Sequence, residues 1–282
     1  MRRRDFLALG AMTLALPSRP LRAAPDLRVV SVGGAVTECV YAIGMERLLV
    51  GADTTSVYPP QAERLPRVGY QRALSAEGLL SLAPGLILAS ADAGPPAVVE
   101  QIRRAGVRWV SLNTAHTADA PMQKLLAVGA ALGQPARAAA RIRQYEADWQ
   151  HARTAVAALP GRPRVVFVMA HGGPTLNLAG RDTAADAMLT LAGCDNALDF
   201  KGYKTISPEA LLAAAPEVIV TTGQSVDGFG GLQSLLTRPG LAASPAARKR
   251  HVVAMDALFL LGFGPRTPQA VIQLAQQTRG QA

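Results

Sequence analysis

What this chain of 282 residues lacks narrows it quickly. It has two cysteines, Cys39 and Cys194, which is too few for a disulfide framework or for any four-cysteine zinc or iron–sulfur site. Aromatics are scarce, with two Trp, five Tyr and six Phe, so nucleic-acid bases would find few side chains to stack on. No apolar run reaches the roughly 18–20 residues that a membrane-spanning helix needs. No Walker or dinucleotide-type glycine loop occurs, and no Ser-x-x-Lys or Gly-x-Ser-x-Gly nucleophile motif. Charged residues make up only 17%, too few for a disordered polyelectrolyte, while 49% hydrophobic residues suffice for a sizeable core.

The formal charge of +9 invites a nucleic-acid partner, but part of it sits in a removable segment. Residues 1–23 read as a signal peptide. Arg2, Arg3 and Arg4 form a positive start, residues 6–16 an apolar stretch too short to span a membrane, and Pro17 and Pro20 its end. Ala23 and Ala24 offer a small-residue cleavage region. The run Arg3-Arg4-Asp5-Phe6-Leu7 resembles a twin-arginine export signal, with ordinary Sec export as the other route. Loss of this segment removes five arginines and one aspartate and lowers the charge from +9 to +5, which points to no particular acidic partner. No cysteine lies near the cleavage region, so the expectation is an unanchored periplasmic protein that meets the membrane only through a partner.

The mature chain alternates strand-like and helix-like segments. Short β-branched runs at 27–32, 48–51, 86–89 and 108–112 read as buried parallel strands, and residues 35–42 as a helix. Residues 74–90 (LSAEGLLSLAPGLILAS) are repeated at 206–222 (ISPEALLAAAPEVIVTT), with seven of seventeen positions identical at an offset of 132. Each copy has a serine N-cap, a glutamate in the first turn, leucines to pack, a proline after the helix and then a strand. Gly69-Tyr70 precedes the first copy as Gly202-Tyr203 precedes the second. Between the copies, residues 135–159 hold no internal glycine or proline and predict one helix on the order of 37 Å long. The predicted organisation is a signal peptide at 1–23, an N-terminal lobe at 24–134, a linking helix at 135–159 and a C-terminal lobe at 160–282.

Four segments carry a family resemblance: 67–78 (RVGYQRALSAEG), 168–173 (VMAHGG), 200–204 (FKGYK) and 258–268 (LFLLGFGPRTP). Together they resemble the solute-binding proteins of bacterial ABC importers for haem, cobalamin and ferric siderophores, and most of all the haem-binding branch. The resemblance covers essentially the whole mature chain. It implies an α/β fold of two Rossmann-like lobes joined by a single long rigid helix, with haem held in the cleft between them as cargo. It also implies a monomer without enzymatic activity that delivers to a permease dimer.

On that resemblance Tyr70 is the first candidate ligand for the haem iron. A phenolate is a hard anionic donor suited to ferric iron. Without the resemblance, a loop tyrosine capping the next helix is the better reading. Arg72, two residues on, is the cation for the phenolate or for a propionate. His171 follows the first strand of the second lobe, where ligands of α/β sheets gather, and is either a second iron ligand or a histidine bonded at a strand end. Tyr203 is pseudo-equivalent to Tyr70 and is expected to reach the cleft, packing on the porphyrin or bonding a propionate. Lys201, Lys204 and Arg238 are further propionate candidates, each read more simply as solvated surface. The apolar run 258–263 suits a porphyrin face or an ordinary buried strand and turn. His116, His151 and His251 read as surface residues. Cys39 and Cys194 fall in different lobes and are expected to be unpaired and buried. Glu77 and Glu209 hold the same place in the two repeats. By the resemblance they meet arginines on the two permease subunits, and by local physics they only favour a helix N-terminus. The rival readings are a cobalamin or ferric-siderophore binder of the same class and an exported metal-dependent enzyme using His171. The enzyme reading lacks a second histidine or carboxylate at ligand spacing.

Overall fold

The computed structural model describes residues 27–170 and 176–280. The signal-peptide reading therefore lies outside the described residues. The first sheet contains β1 (Val29–Val32), β2 (Leu49–Ala52), β3 (Leu86–Ser90) and β4 (Arg108–Leu112), in the order β2-β1-β3-β4 and all parallel. The second contains β5 (Arg164–Ala170), β6 (Leu176–Ala179), β7 (Asp195–Asn196), β8 (Tyr203–Lys204), β9 (Val218–Thr222) and β10 (Val252–Met255). Its order is β10-β9-β5-β6-β8, with β7 beside β5. Here β10, β9, β5 and β7 run parallel, while β6 and β8 form an antiparallel extension.

The central strands are apolar on both faces because each sheet is covered on both sides. In the first lobe Val29, Leu86 and Leu88 enter one core, and Val30, Ile87 and Ala89 enter the other. In the second lobe Val165, Phe167 and Val220 face one core, and Val166, Val168 and Ile219 face the opposite one. This is the period-two alternation of a strand with an apolar side chain at every step.

The predicted linking helix is present as Pro135–Ala157, 23 residues and about 35 Å long. It packs on helix Ala120–Ala131 of the first lobe and on helix Thr267–Gln277 of the second. Its buried residues, Ala138, Tyr145 and Ala152, fall seven apart and form one stripe. A Cβ on Gly129 would lie 2.3 Å from that of Ala138, so glycine is what lets the two helices come this close. The Tyr145 hydroxyl donates to the Ala118 carbonyl at 2.8 Å, which satisfies the polar end of a buried ring.

The repeat is structural as well as textual. Ser75 accepts from the Gly78 N–H at 3.0 Å, and Ser207 from the Ala210 N–H at 3.2 Å. After each helix an alanine turns the chain in the left-handed region, Ala83 at φ 43° and Ala215 at φ 45°. Then β3 and β9 begin, again 132 positions apart. One segment differs from expectation: the run 258–263 is neither strand nor turn throughout. It opens with helix Ala257–Leu261, capped by Asp256, whose carboxylate accepts from the Phe259 N–H at 2.8 Å.

Candidate functional site

A cleft of about 470 Å³ separates the lobes. Its lining comes from the carboxyl ends of parallel strands, where ligands of such sheets collect. Gly33 to Val36 follow β1, Thr54 and Thr55 follow β2, Asp92 follows β3, and Thr114 and His116 follow β4. The second lobe contributes Gln224 after β9 and the apolar Ala257, Leu258, Leu261 and Phe263 after β10.

Tyr70 lies on a short loop that is held at several points. Ala52 bridges Arg67, the Thr54 N–H donates to the Gly69 carbonyl at 2.9 Å, and the Ala73 N–H donates to the Tyr70 carbonyl at 2.8 Å. Gly69 sits at φ 95°, a conformation that glycine adopts without strain. The Arg67 guanidinium pins the loop by donating to the Asp53 and Ser56 carbonyls at 2.8 and 3.0 Å. The anchored loop leaves the Tyr70 side chain 45% exposed at the cleft.

Beside it, Arg72 donates from Nε to Asp92 at 2.9 Å. The Asp92 carboxylate and then the Tyr70 hydroxyl stabilise the guanidinium charge. Partial burial works against the Asp92 carboxylate, yet hydrogen bonds from Ser90 and Arg72 hold it below the usual carboxylate range. Arg72 is thus a fixed cation between an acid and a phenol.

The opposite wall is clasped from the first lobe. Lys124, buried on helix Ala120–Ala131, donates to the Phe263 carbonyl at 2.8 Å. Burial lowers its pKa. The His116 ring stands 5.2 Å from the Phe263 ring, tilted by 43°. Partial burial and then the Lys124 charge lower the pKa of His116. Gly34 meets Leu258 so closely that a Cβ would lie 2.6 Å from a leucine methyl.

A periplasmic binding protein family model matches residues 29–258. The chain belongs to the periplasmic binding protein family. A solved structure described as the periplasmic heme-binding protein BhuT in complex with two hemes is 47% identical, with a TM-score of 0.86 over 90% of this chain and 98% of that one. The periplasmic heme-binding protein RhuT from Roseiflexus sp. RS-1, in its apo form, is 40% identical, with a TM-score of 0.88 and the same coverage. The vitamin B12-binding protein of Vibrio cholerae is 27% identical over 92% of this chain and 91% of its own length.

As a member of this family the chain places its two-lobe cleft where expected, but not every candidate residue in it. Tyr70 and Arg72 line it. His171 lies outside the described residues. Tyr203 is not among the described residues that line the cleft. The reason is local: Tyr203 pairs with Ala179 in the antiparallel extension, a ladder with no counterpart in the first lobe. Burial raises the pKa of its hydroxyl, which faces Thr183 instead. Lys201 pairs with Asp182, Lys204 lies over Phe200 and Arg238 over Phe229; none of the three lines the cleft.

His116 is at the surface, as read from sequence, but that surface is the cleft wall, where the ring keeps solvent contact while its neighbours partly desolvate it. His151 is exposed, whereas His251 is half-buried, with Nε2 3.0 Å from the Gln277 carbonyl. Lys124 and Asp92 carried no sequence signal, since Asp92 reaches the cleft through the order of the strands and Lys124 through the packing of helix Ala120–Ala131. Both cysteines are buried and unpaired, and burial pushes the Cys39 thiol up to about 12. Among the described residues no cluster of three or more His, Cys, Asp and Glu forms a metal cage.

Proposed function

We propose that this periplasmic binding protein captures haem between its lobes and delivers it to the permease of an ABC importer. The observation that carries the reading is Tyr70. It stands half-exposed at the cleft on an anchored loop, with Arg72 fixed at its hydroxyl and an apolar leaf across from it. A phenolate suits ferric iron, and Arg72 places a positive charge beside the oxygen that becomes anionic on binding. Leu258, Leu261 and Phe263 offer the flat apolar contact that a porphyrin face buries. His171, next in chain after β5, is the proposed second iron ligand, or the ligand of a second haem. Both solved relatives named above are described as heme-binding.

Delivery rests on Glu77 and Glu209, exposed at equivalent places in the two lobes. In this reading each meets an arginine on one permease subunit, fixing orientation more than adding affinity. The protein acts as a monomer, exported by the twin-arginine or the Sec route.

A second reading, cobalamin capture, is favoured by the relatives described as vitamin B12-binding. Parallel titrations with hemin and cyanocobalamin separate the two. The proposal expects a shifted Soret band that saturates at one or two haems per chain, and no saturable change with cyanocobalamin. The reverse outcome establishes the second reading.

A further inference from the structure

Seven identities link the two repeat copies, and the fold accounts for five of them. Ser75 and Ser207 cap their helices. Leu79 and Leu211 are buried at 0% and 2%, and Ile87 and Ile219 are buried strand residues. Ala83 and Ala215 both turn the chain in the left-handed region, and Pro84 and Pro216 directly after them stop the helices. Two identities remain. Glu77 and Glu209 are exposed, and among the described residues neither is paired with a basic side chain. Leu80 and Leu212 are also exposed, at 37% and 44%.

Three positions separate the acid from the leucine in each helix, so the two side chains share one helical face. Each helix commits its first leucine to the core and leaves the second to solvent. Packing does not require a leucine at that place, and exposing it gains nothing in water. A single exposed leucine is ordinary. The same leucine retained in both lobes, beside the same unpaired acid, is a matched pair of patches.

We propose that Leu80 and Leu212 are apolar anchors by which the two lobes dock on a two-fold symmetric membrane transporter. Each subunit of the transporter offers a basic group for the glutamate and an apolar socket for the leucine. This deepens the delivery reading above and rests on it. The repeat sets the partner's symmetry: two equivalent patches on one chain fit two equal subunits, not one asymmetric site. The unpaired carboxylates set its charge. The acids orient the encounter, and the leucines, once desolvated, slow release.

The test measures binding of the purified protein to its importer reconstituted in nanodiscs, with and without hemin. Leu80→Ala with Leu212→Ala is expected to weaken docking about tenfold or more, from the apolar area no longer buried. Leu80→Met with Leu212→Met should restore most of the affinity. Each single alanine change should cost a similar factor. Hemin titration and melting temperature should match wild type, because both leucines lie outside the cleft and the core. Wild-type docking by the double alanine variant overturns the inference, and so does a loss confined to one of the two leucines. A wild-type protein that docks but takes up no hemin contradicts the haem reading instead and leaves the docking comparison intact.

Discussion

Arg266 grips both carboxylate oxygens of Glu38, with Nη2 at 2.6 Å and Nε at 3.1 Å, across 228 positions of chain. Its guanidinium also lies 3.4 Å from the centre of the Tyr58 ring, a cation–π contact from the same lobe as Glu38. Lys124 and Arg141 donate to the Phe263 and Pro265 carbonyls at 2.8 and 3.2 Å. The first lobe and the linking helix therefore hold the segment that forms the apolar wall of the cleft. The spacing between that wall and Tyr70 is set by these bonds.

Breaking the Glu38–Arg266 pair from one side leaves a largely buried charge without its partner. Glu38→Ala is expected to lower unfolding stability by about 3 kcal/mol in urea titration. Glu38→Ala combined with Arg266→Met should recover much of that loss. A single variant within 0.5 kcal/mol of wild type, by order of magnitude, would show that the pair is not what ties the lobes.

His116 gives the protein a pH signature. Its folded pKa lies below the ordinary histidine value of 6.5 through burial and then Lys124. As pH falls through 6.5 the unfolded chain takes up a proton that the folded one refuses, so stability drops. The melting temperature of wild type should fall more steeply between pH 7 and about pH 5 than that of His116→Phe. Parallel curves for the two proteins would remove His116 as a source.

Much of this architecture is legible in the sequence because it is local. The serine caps, the proline stops and the 132-residue offset appear in the structure residue for residue. The cleft is less legible because it is assembled by contacts remote in sequence. His116 meets Phe263, Lys124 meets the Phe263 carbonyl and Glu38 meets Arg266 only once both sheets are formed. The two copies part in structure at Tyr203. The glycine before it keeps the positive φ of Gly69, at 76° against 95°, but the following tyrosine joins an antiparallel ladder. Local chemistry repeats there and edge topology does not.

Both thiols should be silent in the native state. Burial raises the pKa of Cys39 to about 12 and also raises that of Cys194. Because the thiolate is the reactive species, a thiol reagent such as Ellman's should label neither in buffer at pH 8 and both in denaturant. Rapid labelling of the folded protein would contradict the buried placement.

Asp92 holds Arg72 but does not touch iron in this account. Asp92→Asn should keep the tyrosinate spectrum of the haem complex while weakening hemin binding several-fold. Loss of that spectrum in Asp92→Asn would make the acid part of the ligation itself rather than a support for Arg72.

The central claim is that haem is held through the Tyr70 phenolate in the interlobe cleft, and hemin titration of the mature protein beside its Tyr70→Phe variant tests it most directly. The account predicts a high-spin tyrosinate spectrum for wild type, saturating at one or two haems per chain, and loss of that spectrum with weaker binding in Tyr70→Phe. A Tyr70→Phe protein with the wild-type spectrum and the wild-type titration curve would contradict it.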